Sequence, residues 1–362
     1  MATRFTRALR LATLPIALAA AFAAAPPAGA AGPVHYTVTF IGSKSLPFGN
    51  EPFAINSAGH TAGLGTFRGS SGETAYLSTG PTQLTSLPGL VTDDPDLATA
   101  TEAFGVNDSD TVVGAARLNF PIRQDAVVWR GGRPTDLNIP LPGDQEVRAV
   151  GIDNAGRIAG SGLDTGKAWL YRNGTTTILP DLPGGQAAEA FGITQDGQVL
   201  GVASTTADSR HAEAVVWRGG TVVPLGHLAG STWSEAHAMN QAGVAVGAAG
   251  VGGDEFAPRH PVVFVGGKVT DLWPDLGGST SGTAFSINRA GTIVGDGRAG
   301  WVYRDGVRTD LDALIPPDSG ITITAAWAIN DAGQIAATAE LKNGTTPQRF
   351  PKYAILLTPV PG

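Results

Sequence analysis

A short hairpin motif that recurs seven times constrains the fold of this chain more than any other feature. In the copy TAFSINRAGTIVG, Thr283–Gly295, small and large residues alternate through Ala284–Ile287, which is the period-two pattern of a β-strand. Asn288 suits the first position of a type I turn because its side chain can bond the backbone two residues on, and Gly291 supplies the residue with positive φ. Thr292–Val294 then predicts the returning strand.

The spacing of the seven copies predicts a β-propeller. Aligned on the residue that opens the turn, successive copies are 51, 46, 41, 46, 48 and 42 residues apart. Repeats of about 40–50 residues are typical of propeller blades with four strands each. Two copies replace the asparagine by Asp or Thr, which can still accept the local backbone bond. The turn-opening residues are Asn56, Asn107, Asp153, Thr194, Asn240, Asn288 and Asn330.

A second hairpin follows the first and predicts strands three and four of each blade. Its first strand is apolar and mostly ends in an aromatic residue, as in Ala126–Trp129 and Ala214–Trp217. Dipeptides such as Gly131-Gly132 then match a two-residue type I′ turn. About ten or more residues lead to the next repeat, which is enough to cross from the outer edge of one blade to the inner edge of the next. We therefore place the first strand of every repeat beside the central axis.

Small and large residues alternate on these predicted inner strands. Small pairs such as Ala103 and Gly105 share one face, and a larger residue lies between them on the other. We expect the large face of one blade to pack against the small face of the next. The large residues are Phe104, Val150, Phe191, His237, Phe285 and Trp327.

The two ends of the chain predict how the ring closes. The last repeat has a first hairpin, Ala326–Ala336, and a third strand, Tyr353–Leu357, but no fourth strand. One orphan strand, His35–Ile41, precedes the first repeat, and adding it to the last blade would remove two exposed sheet edges. The sequence thus predicts an all-β, seven-bladed β-propeller of four-stranded antiparallel blades, in which the N-terminal strand closes the last blade.

Residues 1–31 have the pattern of a signal peptide. Three arginines lie within the first ten residues, an apolar run covers Leu11–Ala25, and cleavage is expected near Ala30/Ala31. The apolar run of about 15 residues is shorter than the roughly 18–20 that span a bilayer. We therefore expect residues 32–362 to form a single secreted, extracellular propeller domain without membrane insertion.

The composition excludes several kinds of site and partner. The chain has no cysteine, which excludes disulfides, thiolate metal sites and a cysteine nucleophile. Its formal net charge of −7 falls to about −10 when the three leader arginines are removed, which argues against nucleic acid as a partner. No phosphate loop, H-E-x-x-H helix, G-x-S-x-G elbow or full calcium loop occurs, and the six histidines lack metal-ligand spacing. We therefore expect no cofactor and no metal.

The repeats resemble the HAF repeats of bacterial extracellular proteins. That family carries a GIN-x-x-G-x-V-V-G-like core, a later strand similar to H/R-A-F-L-W and an end similar to T-D-L-G-x-L-G-G. Here Asp271–Gly278 is close to the end element, whereas the name-giving strand is altered to AVVW, AWLY or PVVF. The resemblance covers nearly the whole chain after the leader and implies a secreted propeller-like repeat protein, but it brings no established activity and no site residue. The core is matched by Gly105–Gly114, without the turn glycine, and by Gly151–Gly160, Gly192–Gly201 and Ser286–Gly295.

One repeated position predicts a ring of charge. The residue five before each turn opener begins the inner strand, at one mouth of the predicted channel. In water, carboxylates about 10 Å apart repel by only about 0.4 kcal/mol, so they should stay ionised and could attract a cation or a polar ligand. The alternative is that they merely solvate the strand ends. The residues at this position are Glu51, Glu102, Arg148, Glu189, Glu235, Thr283 and Ala325.

Four further side chains are candidates for binding. Trp233, Phe256 and Trp273 lie in or beside long loops, where they either stack on a ligand or anchor the loop. His237 stands where other repeats have Phe, Val or Trp, so it is either a packed residue between blades or part of a site.

These features favour a non-enzymatic binding or scaffold module whose variable loops contact a glycan, a cell-wall component or a protein. The carboxylates recur with the repeat and no motif positions a nucleophile, which argues against an enzyme. The alternative is an extracellular polysaccharide hydrolase or lyase, with two carboxylates about 5.5 Å or 6.5–9.5 Å apart at the channel mouth. A third possibility is a purely structural role in a coat or surface layer. We expect a monomer.

Overall fold

Seven antiparallel sheets of four strands each are arranged as the blades of a β-propeller. The structure is a computed structural model that describes residues 34–42, 51–66, 73–90, 98–119, 122–207, 211–252, 257–276, 280–342 and 352–360. The predicted signal peptide and Phe256 lie outside the described residues. The inner strands of the blades contact one another in cyclic order, so the sheets surround a central axis.

The strands follow the order predicted from the repeats. The N-terminal strand is β1 (Tyr36–Phe40). Blade one comprises β2 (Glu51–Ile55), β3 (Thr61–Thr66), β4 (Glu73–Gly80) and β5 (Gln83–Ser86). Blade two comprises β6 (Ala98–Val106), β7 (Val112–Asn119), β8 (Ile122–Arg130) and β9 (Arg133–Asp136). Blade three comprises β10 (Val147–Ile152), β11 (Ile158–Gly162), β12 (Lys167–Arg172) and β13 (Thr175–Ile178).

The second half of the ring repeats this arrangement. Blade four comprises β14 (Ala188–Ile193), β15 (Val199–Ser204), β16 (Ala212–Arg218) and β17 (Thr221–Gly226). Blade five comprises β18 (Ser234–Met239), β19 (Ala245–Gly250), β20 (Arg259–Val265) and β21 (Lys268–Asp271). Blade six comprises β22 (Ala284–Ile287), β23 (Ile293–Gly295), β24 (Trp301–Arg304) and β25 (Val307–Asp310). Blade seven contains β26 (Ile321–Ile329), β27 (Ile335–Leu341) and β28 (Tyr353–Pro359).

The predicted closure of the ring is confirmed. Strand β1 pairs antiparallel with β28 as the outer strand of blade seven, with Tyr36 opposite Pro359 and Phe40 opposite Ile355. The first and last strands of the chain therefore complete one sheet.

The turn chemistry expected from the sequence is also confirmed. In the first hairpin of blade one, the Asn56 side-chain oxygen accepts the backbone N–H of Ala58 at 3.1 Å and of His60 at 3.0 Å, and Gly59 has a φ of +83°. Blade two has no turn glycine, and Asp110 adopts the equivalent conformation with a φ of +55°. Asparagine and aspartate tolerate this left-handed region better than most residues, which explains the substitution.

The hydrophobic core lies between neighbouring blades. One cluster joins Ala159 and Ala168 of blade three to Val199, Val215 and Trp217 of blade four. The indole N–H of Trp217 donates to the backbone oxygen of Pro180, in the connection between these blades, at 2.8 Å. The aromatic residue near the end of strand three thus fixes the interblade connection.

Helical structure in the described residues is confined to the 3-10 turns Leu311–Leu314 and Pro317–Ser319, between β25 and β26. No helix of this part of the chain is long and apolar enough to cross a membrane.

Candidate functional site

A β-bulge in every inner strand turns one residue out of the ladder. The pairing register shifts between Ala190 and Gly192 in β14 and between Ala236 and Ala238 in β18, which leaves Phe191 and His237 unpaired. Equivalent shifts occur in the other blades. The unpaired residues are the large residues of the alternating pattern, together with Phe53 in blade one. The repeated bulge therefore sets the direction of their side chains.

The bulged residues of six blades form an aromatic arc around the axis, which Val150 of blade three interrupts. His237 stacks on Phe191, with 4.8 Å between ring centroids, and meets Phe285 edge-on at 5.6 Å. Phe285 stacks on Trp327 at 4.8 Å, and Phe53 lies between Trp327 and Phe104. These side chains are half-buried and contact their own counterparts in adjacent blades. The expectation that they pack against the small face of the next blade is therefore wrong, because the bulge turns them toward one another.

At one end of the inner strands, the predicted ring residues are engaged with cationic or aromatic partners. Arg148 forms an ion pair with Glu189 of the next blade. The Oε1 atom of Glu235 lies 2.9 Å from Nε2 of His237, and Glu51 accepts from Lys352 at 2.6 Å. The neutral members Thr283 and Ala325 lie at the same position in blades six and seven, and Thr283 bonds Asp296. We call this end, with its carboxylates, the acidic end.

Glu102 differs from the other glutamates of the acidic end. Burial raises the pKa of Glu102, and Glu73 raises it further, whereas the charges of Arg148 and Arg117 lower it. The Arg148 guanidinium also lies over the Phe104 ring, 5.8 Å from its centroid, and its Nε atom is buried without a hydrogen-bond partner. Arg148 therefore lies between Glu102 and Glu189, and both carboxylates interact with its single positive charge.

Asp296 also lies at the acidic end, although it is not one of the residues five positions before a turn opener. Its backbone and side chain both bond Thr283, with the Thr283 N–H donating to Oδ1 at 2.9 Å. Burial raises the pKa of Asp296 to about 6, although the bond from Thr283 and the nearby His237 oppose the shift. The sequence does contain a signal for Asp296, because it is the only acidic residue at its repeat position, directly after the glycine of the second strand. Other repeats have Ala115, Ser161, Val202 or Ala248 there.

The two candidate tryptophans are stacked against arginines. The Arg259 guanidinium lies 3.8 Å from the ring centroid of Trp233, and the Arg308 guanidinium lies 3.8 Å from that of Trp273. Trp273 is buried among the core residues of blades five and six. This environment favours the loop-anchor interpretation for Trp273, whereas Trp233 keeps a partly exposed surface.

The opposite end of the inner strands, at the first-hairpin turns, opens into a cavity of about 810 Å³. Apolar residues that precede the turn openers, such as Ile55, Val106 and Met239, form part of its wall. None of the residues of the aromatic arc lines it, so the cavity lies on the turn side of that arc. We call it the turn-end cavity. Its volume is within the roughly 300–1,000 Å³ of small-molecule sites.

A belt of asparagine side chains borders the turn-end cavity. Each turn-opening asparagine donates its side-chain N–H to the backbone oxygen of the opener in the next blade, for example Asn56 to Asn107 at 3.1 Å and Asn288 to Asn330 at 3.2 Å. The bond from Asn330 to Asn56, at 3.0 Å, closes the belt from blade seven to blade one. These amides have a second role that the turn motif alone does not reveal, because they also join the blades.

A second polar layer lies just beyond this belt. The residue after each turn opener is polar in all repeats, and several of these side chains accept the backbone N–H of the preceding blade. Asp108 accepts from Ser57 at 2.9 Å, Asn154 from Asp108 at 2.9 Å and Gln195 from Asn154 at 3.0 Å. Burial raises the pKa of the Asp108 carboxyl, but the hydrogen bonds it accepts from Ser57 and from the Asn154 side chain lower this pKa below its usual value. The set is Ser57, Asp108, Asn154, Gln195, Gln241, Arg289 and Asp331, which all line the cavity.

The residues predicted from the sequence and the cavity lie at opposite ends of the inner strands. Among the described residues, no group of three His, Asp or Glu side chains is arranged to hold a metal ion. The arrangement therefore presents two distinct surfaces on one axis. The acidic end has paired charges, and the turn-end cavity has amides, carboxylates and arginines over an apolar wall.

Comparison with known proteins finds no matching family model and no matching curated protein sequence. Similar solved structures include YCF48 bound to D1 peptide, 12% identical with a TM-score of 0.49, where the match covers 94% of this chain and 98% of that chain. TolB from Acinetobacter baumannii is 12% identical, with a TM-score of 0.41 and coverage of 83% and 63%. The acylaminoacyl peptidase of Pyrococcus horikoshii is 11% identical, with a TM-score of 0.41 and coverage of 72% and 46%. This chain spans less than two thirds of the length of the last two proteins, and such low likeness carries no argument about function.

Proposed function

We propose that this chain is a secreted, HAF-repeat-like recognition module that binds an extracellular ligand in its turn-end cavity. The observation that carries the proposal is a cavity of about 810 Å³ on the propeller axis, walled by polar side chains from every blade. Its walls are fixed by the interblade hydrogen bonds of Asn56, Asn288 and their counterparts. A preformed site of this kind binds with little ordering cost.

The chemistry of the walls suits a glycan, a cell-wall component or a peptide. Amide groups such as those of Asn154 and Gln241 can both donate and accept hydrogen bonds. Apolar side chains such as Met239 and Ile287 offer a surface for the less polar face of a ligand. The leader sequence and the resemblance to HAF repeats support an extracellular location.

The test is a glycan-array and cell-wall pulldown with the purified protein and three variants. Gln241→Trp introduces a bulky indole at an exposed position on the wall of the turn-end cavity, and the triple variant Glu102/Glu189/Glu235→Gln removes charge at the acidic end. Gln83→Trp, on the exposed outer strand β5, controls for the added indole.

We expect Gln241→Trp to abolish capture, whereas Gln83→Trp captures as the unchanged protein does. Loss of capture in the triple variant alone would move the site to the acidic end. If the unchanged protein captures nothing from the glycan array or from cell walls, the proposal is wrong.

A second candidate function is favoured by Asp296. A carboxyl whose pKa is raised to about 6 by burial, near His237 and its partner Glu235, has the properties of a proton donor near neutral pH. The candidate is an extracellular polysaccharide hydrolase or lyase acting at the acidic end. Release of reducing ends from neutral and acidic polysaccharides, lost in Asp296→Asn and falling above about pH 6, would support it. No release by the unchanged protein would dismiss it.

A further inference from the structure

The asparagine belt is broken at the seam between blades four and five. Thr194 stands where other blades have asparagine, and its hydroxyl bonds Asp196 within its own turn. Among the described residues, no side chain bonds Thr194 to Asn240 across the seam. Blade three also lacks the asparagine, but there Arg157 reaches across and donates to the backbone oxygen of Gln195 at 2.9 Å. At the seam between blades four and five, no side chain of the described residues provides such a substitute.

Gln198 could have bridged this seam but is folded back. It occupies the position of Arg157 in blade three, and its side-chain N–H donates to Asp196 at 2.7 Å. Its Oε1 atom is buried and has no hydrogen-bond partner. A buried amide oxygen without a donor is costly, which favours turning the Gln198 amide toward the cavity, where a ligand can donate a hydrogen bond to it.

The turn-end cavity extends outward along this open seam. Arg218 and Gly266, at the outer hairpins of blades four and five, are both among its lining residues. The pairing of Val199 with Trp217 places Gln198 next to Arg218. A Cβ atom built on Gly243 or Gly266 would meet nothing within 4 Å, so the blade-five side is open. We call the extension lined by Thr194, Gln198, Arg218, Asn240, Gly243 and Gly266 the seam groove.

Arg218 is an exposed cation whose charge no neighbour neutralises. Within the described part of the chain it forms no ion pair, whereas the other charges of the cavity are engaged. Arg289 pairs with Asp331 at 3.0 Å, and Asp196 accepts hydrogen bonds from Thr194 and Gln198, which lower the pKa of Asp196. The seam groove thus combines a free guanidinium with an acceptor that lacks a donor.

We propose that the seam groove and the adjoining cavity bind a carboxylate-bearing saccharide of the uronic-acid type, with its carboxylate on Arg218 and a hydroxyl donating to Gln198. This inference rests on the proposed function and names its ligand class. Guanidinium and carboxylate form charge-assisted, two-pronged hydrogen bonds. Sugar hydroxyls donate and accept, which matches the amide-rich wall better than the apolar side chains of a peptide would.

The chain contains its own matched control for Arg218. The segment Ala126–Arg130 of blade two has the sequence AVVWR and is followed by Gly131-Gly132, and Ala214–Arg218 of blade four is identical and is followed by Gly219-Gly220. Arg130 is exposed like Arg218, but it does not line the cavity. Substitutions at these two positions therefore make the same chemical change on two blades, and only one of them lies in the groove.

The experiment is calorimetric titration with a galacturonic-acid trisaccharide and with the neutral galactose trisaccharide, for the unchanged protein, Arg218→Gln, Arg130→Gln and Thr194→Asn. We expect the acidic trisaccharide to bind at least tenfold more tightly than the neutral one, and this preference to weaken with added salt. Arg218→Gln should lower the affinity for the acidic ligand roughly tenfold or more, whereas Arg130→Gln should leave it unchanged. Thr194→Asn should also weaken binding, because the restored belt bond to Asn240 would narrow the groove.

Equal affinities of Arg218→Gln and Arg130→Gln, or equal binding of the acidic and neutral ligands, would overturn the assignment of the carboxylate to Arg218. If neither trisaccharide binds, the ligand class is wrong. In that case capture of another ligand that Gln241→Trp abolishes leaves the proposed function standing. Failure of both experiments would remove both proposals.

Discussion

At the scale of single residues, the same asparagine has two roles. The side chain of Asn288 accepts from the N–H of Thr292 within its own turn and donates to the oxygen of Asn330 in the next blade. The first role follows from the turn motif, because it is local. The second depends on the distance between adjacent blades, which no single repeat encodes. The asparagine that favours the turn in this sequence therefore also forms a hydrogen bond to the next blade.

The raised pKa of Asp296 predicts a pH-dependent loss of stability. The folded carboxyl keeps its proton up to about pH 6, whereas the unfolded one loses it near 3.8. The folded state therefore binds more protons between these values, and stability must fall as the pH rises through this window. Asp296→Asn cannot ionise, so relative to the unchanged protein it should gain roughly 2–3 kcal/mol of unfolding free energy between pH 4 and pH 7.

Urea unfolding of both proteins across this pH range measures that difference. Other titrating groups, including the partly buried Glu102, are common to the two proteins and cancel in the comparison. Stability curves that stay parallel from pH 4 to pH 7 would show that Asp296 ionises normally in the fold.

At the scale of strands, a glycine on the second strand allows the inner bulge in six of the seven blades. A Cβ atom built on Gly201 would lie 1.9 Å from the backbone oxygen of Glu189, and Gly114 and Gly247 face the same contact with Glu102 and Glu235. The bulge pushes this carbonyl toward the second strand, so the strand opposite it has no room for a side chain. Blade seven has Ala337 at this register position, and its inner strand carries an additional bulge between Ile323 and Ala325.

Gly201→Ala should therefore destabilise the protein by about 3 kcal/mol, because the backbone of β14 must move to admit the methyl group. Urea denaturation measures the loss. The control is Gly219→Asn in the type I′ turn of the same blade, where φ is +56° and where blade three already has Asn173 at a φ of +50°. Asparagine should be tolerated there. A loss of less than about 1 kcal/mol of unfolding free energy in Gly201→Ala would mean that the backbone of β14 can shift at the bulge at little cost.

The elements also show how much of the fold could be predicted. Strand pairing and turn types were predictable because turn residues and alternation are local signals, as in Asn173-Gly174 with φ values of +50° and +82°. The bulge at Phe191 was not predictable, because one unpaired residue leaves the alternation of sequence unchanged. The candidate site was only partly predictable. The acidic end followed from repeat positions, but the open seam at Gln198 depends on which way one side chain folds.

At the scale of the whole molecule, the ring is closed by one strand that is far from its partner in sequence. Strand β1 completes blade seven, so a single antiparallel pair joins the two ends of the described chain. Hydrogen bonds between blade seven and blade one, such as Asn330 to Asn56, support the same closure. Opening this pair would expose the edge of β28 and separate blade seven from its outer strand, so we expect unfolding to begin there.

A disulfide across the closing pair should therefore stabilise the propeller strongly. Thr37 and Thr358 are directly opposite in the pairing of β1 with β28, and the chain has no other cysteine to interfere with Thr37→Cys/Thr358→Cys. Because the link would close nearly the whole chain, the chain-entropy model gives a stabilisation at the upper end of the measured range, about 4–5 kcal/mol. Urea unfolding of the oxidised and reduced double variant measures it, and Thr37→Cys alone controls for the substitution. If oxidation leaves the unfolding midpoint unchanged, the ring opens at another seam. A second disulfide should then be placed across the seam between blades four and five, which lacks the asparagine hydrogen bond.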